Sequence, residues 1–244
     1  MVEKLAVDFI NHKGRILVVD GYAGWDPQER IKIRTYCTRT YHALFMRNML
    51  ITPTEKELQE DFTRGVHMNI FNAGELMCSK NISGVNTTSL TALDLVNRKI
   101  SILGTQYAGE TNKAIFKTLQ YYYPRKGLMT FHGAATVGTD NKTTLMCGLS
   151  GSGKTALAVR SRNRKLLADD ELCWGDKGIF NINGGCYAKV SNLEKEVEPE
   201  IYNSIKFGSI CENVSFYKKS RDINFNDNSI TENSRVSFPL NYLD

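Results

Sequence analysis

The residues from Gly148 to Thr155 form a stretch that is typical of phosphate-binding loops. Their sequence, GLSGSGKT, matches the pattern G-x-x-x-x-G-K-[ST], in which glycines allow backbone N–H groups to surround a phosphate at the start of a helix. In such a loop Lys154 reaches the outer phosphates of a nucleotide, and Thr155 places its hydroxyl on a magnesium ion. The pattern therefore predicts a nucleoside-triphosphate site, and a glycine-rich turn without a ligand is the weaker interpretation.

Two acids, Asp169 and Asp170, close an apolar stretch shortly after this loop. Phosphoryl-transfer enzymes hold a carboxylate near the metal at such a position. Because neighbouring side chains point opposite ways in an extended segment, we expect one acid to face the metal and the other to face water or a structural donor. The spacing alone does not decide which acid binds.

The elements that would position these residues alternate between strands and helices. Short apolar runs predict strands at 15–20, 99–104, 128–132, 145–147 and 166–168, the last ending at Asp169 and Asp170. Helical spacing is found at 40–49, 110–123, 154–158 and 198–207. We also expect a capping box at Thr54–Glu57, short strands near 179–180 and 214–217, a hairpin over 223–230 and a surface loop over 80–91. The segment from 145 to 168 therefore reads as a strand–loop–helix–strand unit.

The composition is that of a soluble globular protein. Of the 244 residues, 41% are apolar and 23% are charged, which excludes long disorder, collagen-like sequence and low complexity. No apolar run reaches the roughly 18 residues that a membrane span requires, and acids occupy the N-terminus where a signal peptide would be apolar. The six cysteines form no C-x-x-C pair and indicate reduced core thiols. We expect a cytoplasmic protein.

The charge balance favours anionic ligands but not nucleic acid. Lys and Arg number 31 against 26 Asp and Glu, a formal charge of +5, far from the dense basic stripe of a nucleic-acid binder. The cluster Arg160, Arg162, Arg164 and Lys165 follows the P-loop helix, where cations favour the helix C-terminus and solvent. We therefore expect partners that are small molecules, with neither nucleic acid nor a membrane among them.

Further motifs occur along the chain in a fixed order. They are the run 15–20 with Gly24, MRNM at 46–49, GTQYAGE at 104–110, DDE at 169–171, NGGCYAK at 183–189 and EPEIYN at 198–203. Together with the P-loop they resemble the ATP-dependent phosphoenolpyruvate carboxykinases over most of the chain. The resemblance implies an α/β fold, with an N-terminal lobe of mixed sheet and helices at 1–127 and a partial P-loop mononucleotide-binding lobe at 128–244.

The resemblance also implies a reaction. It is the decarboxylation of oxaloacetate and phosphorylation by ATP to give phosphoenolpyruvate, CO₂ and ADP, a lyase reaction of gluconeogenesis that uses Mg²⁺ and Mn²⁺. Decarboxylation leaves an enolate whose charge a cation stabilises. The enolate oxygen then attacks the γ-phosphate of ATP, a step governed by positioning and charge neutralisation.

Residue roles follow from the resemblance, position by position. Lys113, His132 and Asp170 would ligate Mn²⁺, and Thr155 would ligate Mg²⁺. Tyr107 and Lys113 would contact the oxaloacetate-side substrate. The nucleotide would be held by Gly148, Leu149, Ser150, Gly151, Ser152, Gly153, Lys154, Thr155, Ala156 and Glu198. Lys113, Lys154 and Asp169 are the expected catalytic residues. Lysine ligates a metal only as the neutral amine, so we expect the cation and its neighbours to lower the pKa of Lys113. His12, His42 and His67 are assigned structural roles.

The sequence also departs from the family pattern. The departures are Asn112 for a second lysine, Ala156 for a second threonine after the P-loop, Asn183 for a glutamate, and Gln106 and Ala108 for Trp and Gly. Asn112 removes a positive charge beside Lys113. We further expect the chain to lack the family's leading Arg-Ser-Pro segment and its C-terminal half. In the family, that C-terminal half supplies an arginine that bridges substrate and phosphate, and it makes most of the contacts with adenine. Strand edges exposed in this way predict self-association.

Two other functions remain open. A P-loop small-molecule kinase, such as an adenylyl-sulfate kinase, would explain the eight loop residues but places its loop near the N-terminus, whereas about 147 residues precede it here. A non-catalytic nucleotide-binding or partner-binding module derived from a carboxykinase would explain Asn112 and the missing arginines. Bound ATP without turnover would distinguish this module from an enzyme.

Overall fold

A computed structural model describes residues 1–79, 81–82, 84–148, 152–161 and 163–243, and it describes only the backbone of Thr155, Ala156 and Val159. The fold is α/β, as predicted, with several sheets and few long helices. Within the described residues, we find no helix with the length and apolar character needed to cross a membrane.

A mixed sheet forms the centre of the first part of the chain. Its strands are β1 (Leu17–Ala23), β2 (Ile31–Cys37), β3 (Met68–Ala73), β4 (Leu90–Asp94) and β5 (Lys99–Leu103). They lie in the order β1-β2-β3-β5-β4, with β2, β3 and β5 parallel and the outer strands antiparallel to their neighbours. The predicted strands at 15–20 and 99–104 are therefore confirmed, with small shifts of their ends.

Helices cover both faces of this sheet. They are α1 (Val2–His12), α2 (Thr40–Met49), α3 (Glu55–Glu57), which a π-helical turn at Leu58–Phe62 continues, and α4 (Gly109–Tyr122). Because side chains alternate along β3, Ile70 packs with α2 and α4 while Phe71 packs with α1. The helix predicted at 40–49 and the capping box at Thr54 are confirmed.

The strands before and after the P-loop belong to one antiparallel sheet. The elements are β6 (Met129–Gly138), β7 (Thr143–Cys147), α5 (Lys154–Val159), β8 (Arg164–Gly175) and β9 (Gly178–Asn181). The order is β7-β6-β8-β9, so β7 and β8 run parallel to each other on either side of β6. This arrangement confirms the strand–loop–helix–strand unit. The prediction that the strand ends at Asp169 and Asp170 is wrong, because β8 continues through them to pair with β9.

Smaller sheets complete the second part. They contain β10 (Gly185–Lys189), β11 (Ile210–Glu212), β12 (Ser215–Phe216), β13 (Ile223–Asn224) and β14 (Arg235–Pro239), with α6 (Pro199–Asn203) before β11. The order is β10-β14-β11, and β12 pairs with β13. Short 3-10 turns lie at Pro124–Lys126 and Leu240–Tyr242.

Two predictions in this region are wrong. The helix predicted at 198–207 ends at Asn203, and the Ser204 hydroxyl after it lies within hydrogen-bonding distance of the carbonyl oxygens of Glu200 and Tyr242. The hairpin predicted over 223–230 lies earlier, since β13 pairs back onto β12 through a turn at 217–222. In the predicted surface loop 80–91, β4 begins at Leu90, and Lys80 and Ser83 lie outside the described residues.

The main hydrophobic core crosses the predicted lobe boundary at residue 127. Strands β1 to β5 precede this position and β6 to β14 follow it. Phe45 and Ile70 from the first part nevertheless share one buried cluster with Cys173, Ile182 and Tyr187 from the second. The division into 1–127 and 128–244 therefore stays a prediction about folding units.

Two glycines allow the second part to approach helix α2. A Cβ atom on Gly184 would lie 2.5 Å from the Leu50 backbone, and one on Gly185 would lie 2.2 Å from the Asn48 carbonyl oxygen and 2.4 Å from that of Phe238. Such distances are far below van der Waals contact, so a side chain would push β10 away from α2. The NGGCYAK motif thus owes its glycines to packing between the two parts.

We predict that Gly185→Ala destabilises the fold. Overpacking of a tight contact costs about 1–3 kcal/mol, and this contact involves backbone atoms that cannot rotate away. Urea denaturation followed by circular dichroism measures the free energy of unfolding. The exposed Lys219→Ala serves as the control and should change it by less than about 0.5 kcal/mol; equal midpoints for the two variants would contradict the packing argument.

Candidate functional site

A cavity of about 610 Å³ lies where helix α4 meets the P-loop sheet and strand β10. Most residues singled out from the sequence line it: Tyr107, Lys113, His132, Gly153, Lys154, Asp169, Asp170 and Glu198. The fold therefore brings together side chains from several elements. Helix α4 packs against β6, and the ion pair of Lys113 with Asp170 links it to β8.

The phosphate-binding loop is described at its two ends. Lys154 begins α5, and Gly153 before it has a positive φ of 81°. A Cβ atom on Gly148 would lie 2.6 Å from the Ser152 hydroxyl, so these two residues lie close together. Leu149, Ser150 and Gly151 lie outside the described residues, as do the side chains of Thr155 and Ala156. The predictions for these residues stay predictions.

The residues predicted to bind Mn²⁺ converge on one carboxylate. Lys113 Nζ, from α4, lies 2.6 Å from Asp170 Oδ2. His132 Nδ1, from β6, lies 3.0 Å from Asp170 Oδ1 and also 3.0 Å from the Asp170 carbonyl oxygen. An amine, an imidazole and a carboxylate thus meet at the cavity wall.

The backbone of Asp170 explains how both acids reach the cavity. Its φ is 69°, in the left-handed region that Asp and Asn enter more readily than other residues with a side chain. This conformation breaks the alternation of β8, so Asp169 and Asp170 both line the cavity while Glu171 is fully buried. The expectation that the two acids face opposite ways is therefore wrong.

A buried carboxylate backs this cluster. Glu171 Oε1 lies 2.9 Å from Lys113 Nζ, and Glu171 Oε2 accepts a hydrogen bond of 3.0 Å from Asn112 Nδ2. Burial raises the pKa of Glu171, and the ion pair with Lys113 opposes this rise. Asn112 is itself buried. The residue that departs from the family pattern thus serves Glu171 as a neutral donor.

The electrostatics of Lys113 differ from the expectation. Burial lowers the pKa of Lys113, but the nearby Glu171 and Asp170 carboxylates outweigh burial and the net shift is upward. In the protein alone these neighbouring acids raise the pKa of Lys113, and the lowering of this pKa by a bound cation stays a prediction. In the absence of a cation Lys113 is an ammonium group paired with both carboxylates.

The donor set fits a divalent transition cation. Nitrogen and oxygen donors together suit Mn²⁺ once Lys113 has lost its proton. Within the described ranges, no three side chains of His, Cys, Asp and Glu cluster for metal binding, so this site depends on the lysine. The residues present are therefore compatible with the cation that the resemblance implies.

The Tyr107 segment is held from both sides of the cavity. His42 Nε2 lies 3.1 Å from the Gln106 carbonyl oxygen, and because a carbonyl only accepts, this nitrogen carries the proton. On the other side, Ala108 N–H donates to Glu212 Oε1 at 3.3 Å, and the same carboxylate accepts from the Tyr187 hydroxyl. Helix α2 and strand β11 thus fix the start of α4, where Tyr107 lies.

The sequence patterns did not indicate some of the cavity residues. Tyr187, Lys189, Asn233 and Arg235 also line the cavity. Lys189 lies opposite Arg235 in the register of β10 with β14. The Arg235 guanidinium lies 5.1 Å from the centre of the Tyr187 ring. Tyr187 and Lys189 belong to the NGGCYAK motif, which could have indicated them. Arg235 belongs to none of the motifs that the sequence analysis singled out, yet it lines the cavity.

We predict that the charge state of His42 makes folding sensitive to acid. Burial lowers the pKa of His42 below its ordinary 6.5, with Arg39 adding to the effect, while the bond to Gln106 and the Glu75 charge oppose it. Its stabilising contribution is fully present above about pH 6.5 and is lost as the pH falls towards the folded-state pKa, because only the unfolded chain takes up the proton there.

This prediction is tested by urea denaturation at a series of pH values between about 7.5 and 5.5. His42→Gln, whose amide can donate to the Gln106 carbonyl, serves as the comparison. We expect the free energy of unfolding to fall more steeply with acid in the natural chain than in this variant. Parallel pH profiles would show that His42 titrates normally.

Comparison with known proteins shows a similarity along the whole chain. The sequence profile of the phosphoenolpyruvate carboxykinase family matches residues 1–244. "Phosphoenolpyruvate carboxykinase (ATP) 2" of Salinibacter ruber is 45% identical over 243 residues, which cover 98% of this chain and 44% of that protein. "Phosphoenolpyruvate carboxykinase (ATP)" of Neurospora crassa is 46% identical over 242 residues, covering 98% and 39%. The protein of the same name from Dictyostelium discoideum is 46% identical over 239 residues, covering 98% and 42%. The chain thus spans about two fifths of the length of these curated relatives.

Proposed function

Because the chain belongs to the phosphoenolpyruvate carboxykinase family, we propose that it takes part in the conversion of oxaloacetate and ATP to phosphoenolpyruvate, CO₂ and ADP. The observation that supports this best is one cavity that contains both the start of the P-loop helix, at Lys154, and the cluster of Lys113, His132 and Asp170. Phosphoryl transfer to an enolate requires such a juxtaposition of a phosphate site and a charge-stabilising site.

The nucleotide would occupy the P-loop side of the cavity. Residues Gly148 to Ala156 would hold the phosphates of ATP, with Lys154 on the outer phosphates and Thr155 on Mg²⁺. Glu198, which lines the same cavity at the start of α6, would contact the nucleotide. ATP is thus a co-substrate, and Mg²⁺ accompanies it.

The organic substrate would occupy the opposite side. Lys113, His132 and Asp170 would hold Mn²⁺, which when bound supplies charge stabilisation at the enolate oxygen. Tyr107 would orient the substrate, and the cationic Lys189 and Arg235 would attract its carboxylates and the transferred phosphate. Asp169, beside these groups, is proposed as a catalytic residue together with Lys113 and Lys154. Alignment of the reacting groups in one cavity would supply much of the rate acceleration.

The alternatives from the sequence are not favoured. A small-molecule kinase would account for the eight P-loop residues, whereas the family match covers residues 1–244. The relatives are named as carboxykinases, which gives no support to a non-catalytic module. A cytoplasmic location and a role in gluconeogenesis, with small-molecule partners only, remain proposals that follow from the family.

Self-association is a further part of the proposal. The apolar side chains of Phe207, Phe216 and Ile230 are exposed, and the outer strands of the sheets leave backbone groups available for pairing. Light scattering over a range of protein concentrations would reveal it, and a constant monomer mass would exclude it.

We predict that Lys154→Ala removes the nucleotide function. Loss of a charge-assisted contact to phosphate costs about 1.5–3 kcal/mol, so ATP affinity in the presence of Mg²⁺ should fall by about tenfold or more. Calorimetry measures the affinity. A coupled assay with oxaloacetate, ATP, Mg²⁺ and Mn²⁺ measures phosphoenolpyruvate, which the natural chain should release and the variant should not.

The matched control is Lys142→Ala, which removes an exposed lysine of the turn between β6 and β7 and should change neither readout. Unchanged ATP affinity in the Lys154 variant would refute the phosphate role. Tight ATP binding by the natural chain without any phosphoenolpyruvate would instead support the non-catalytic module. Product from the natural chain above that of the variant would establish the carboxykinase activity.

A further inference from the structure

Glu171 is a fully buried carboxylate directly behind the cavity. Its side chain is 0% exposed, and both of its oxygens have a partner on helix α4: Lys113 Nζ at 2.9 Å and Asn112 Nδ2 at 3.0 Å. A buried charge is costly unless it is paired and hydrogen-bonded. Here the cationic Lys113 meets this requirement together with two neutral amides, Asn112 and Asn183.

Stability alone is a weak reason for such an arrangement. Replacing a buried ion pair by apolar residues of similar volume is often neutral or stabilising. The pair does fix a geometry, however. Lysine has a flexible stem of four carbons, and the Lys113 side chain is 32% exposed at the cavity. Its Nζ atom is held by Asp170 and Glu171.

The two carboxylates differ in what else they contact. Asp170 faces the cavity and also lies 3.0 Å from His132, so any ligand in the cavity competes for it. Glu171 is out of reach of the cavity and contacts α4. The ion pair of Glu171 with Lys113 is therefore retained when the Asp170 carboxylate binds a ligand in the cavity.

We propose that Glu171, itself held by Asn112, is a positioning residue that fixes the Lys113 nitrogen at the cation site. The proposal rests on the proposed function in one respect, the assignment of Lys113 as a cation ligand. Residues that orient a metal ligand from behind typically contribute about 10- to 100-fold to metal affinity. Glu171 therefore sets how well the site binds Mn²⁺ without touching the ion.

The substitution Glu171→Gln separates charge from shape. A glutamine amide has one acceptor oxygen and one NH₂ group, whereas Lys113 and Asn112 are both donors. One of the two donors must then face the NH₂ group, unless the Asn112 amide turns so that its oxygen accepts from that group. In either case the variant keeps the volume of the side chain and removes the negative charge that pairs with Lys113.

The test is a double-mutant cycle on the 244-residue chain, with Mn²⁺ affinity measured by electron paramagnetic resonance of the free ion. We expect Glu171→Gln to weaken binding by about tenfold or more in the natural background, because the loss of positioning outweighs the easier deprotonation of Lys113 when the Glu171 charge, which raises the pKa of Lys113, is removed. In the Lys113→Met background it should weaken binding no further, because Glu171 acts through Lys113. Equal losses in both backgrounds, or no loss in the first, would overturn the proposal.

Thr111→Val is the matched control, since it removes a buried hydrogen bond with Asn72 from the same helix and should leave Mn²⁺ affinity unchanged. Circular dichroism checks the fold of each variant. Where Glu171→Gln fails to fold, Glu171→Asp keeps the charge but withdraws the carboxylate, and the same cycle applies.

A second readout separates this proposal from the proposed function. If the natural chain binds no Mn²⁺, the assignment of the cation site fails, and crystal structures of the natural chain and the Glu171→Gln variant decide the positioning role. Displacement of Lys113 Nζ from Asp170 Oδ2 in the variant supports it. An unchanged contact, near the 2.6 Å of the natural chain, overturns it.

Discussion

The left-handed backbone of Asp170 is the constraint on which the candidate site depends. In a regular strand, Asp169 and Glu171 would share one face and Asp170 would take the other. With φ at 69°, both aspartates reach the cavity and Glu171 turns into the core. A carboxylate placed there requires a cation, which Lys113 supplies from helix α4. Strand β8 thus holds Asp170 and Glu171 where their ion pairs with Lys113 link it to α4.

Charge balance then shapes what the cavity can accept. Asp169, Asp170 and Glu198 contribute negative charge, while Lys113, Lys154, Lys189 and Arg235 contribute positive charge. Such a mixed lining suits an anionic substrate that arrives with a divalent cation. Asn112 fits this balance, because a neutral amide satisfies the second oxygen of Glu171 without adding charge. Asn112 removes a positive charge where the family pattern has a second lysine, and its contact with Glu171 gives the amide a structural role.

Local sequence patterns predicted most helices and strands. Contacts between residues far apart in the sequence could not be predicted from such patterns. Helix α2 and the P-loop unit follow from apolar spacing, glycines and caps, which act within a few residues. The convergence of Lys113, His132 and Asp170 came from the family resemblance, since no spacing relates residues on α4, β6 and β8. The position of Arg235 could not be predicted in this way, because the pairing of β14 with β10 brings it to the cavity. The left-handed Asp170 also leaves no signal in composition or periodicity, so the facing of the two acids was predicted incorrectly.

The contacts around the cavity indicate a site that packing holds in place. Lys113 before residue 127 and Asp170 after it are joined by an ion pair of 2.6 Å, and Phe45 and Tyr187 meet edge to face in the shared core. Glu212 adds a further link by accepting from Ala108 and Tyr187. Residues held in this way lose little freedom when a ligand binds, and pre-organised groups stabilise developing charge most effectively. The same core that resists separation of the two parts therefore also aligns the phosphate loop with the amine, imidazole and carboxylate opposite it.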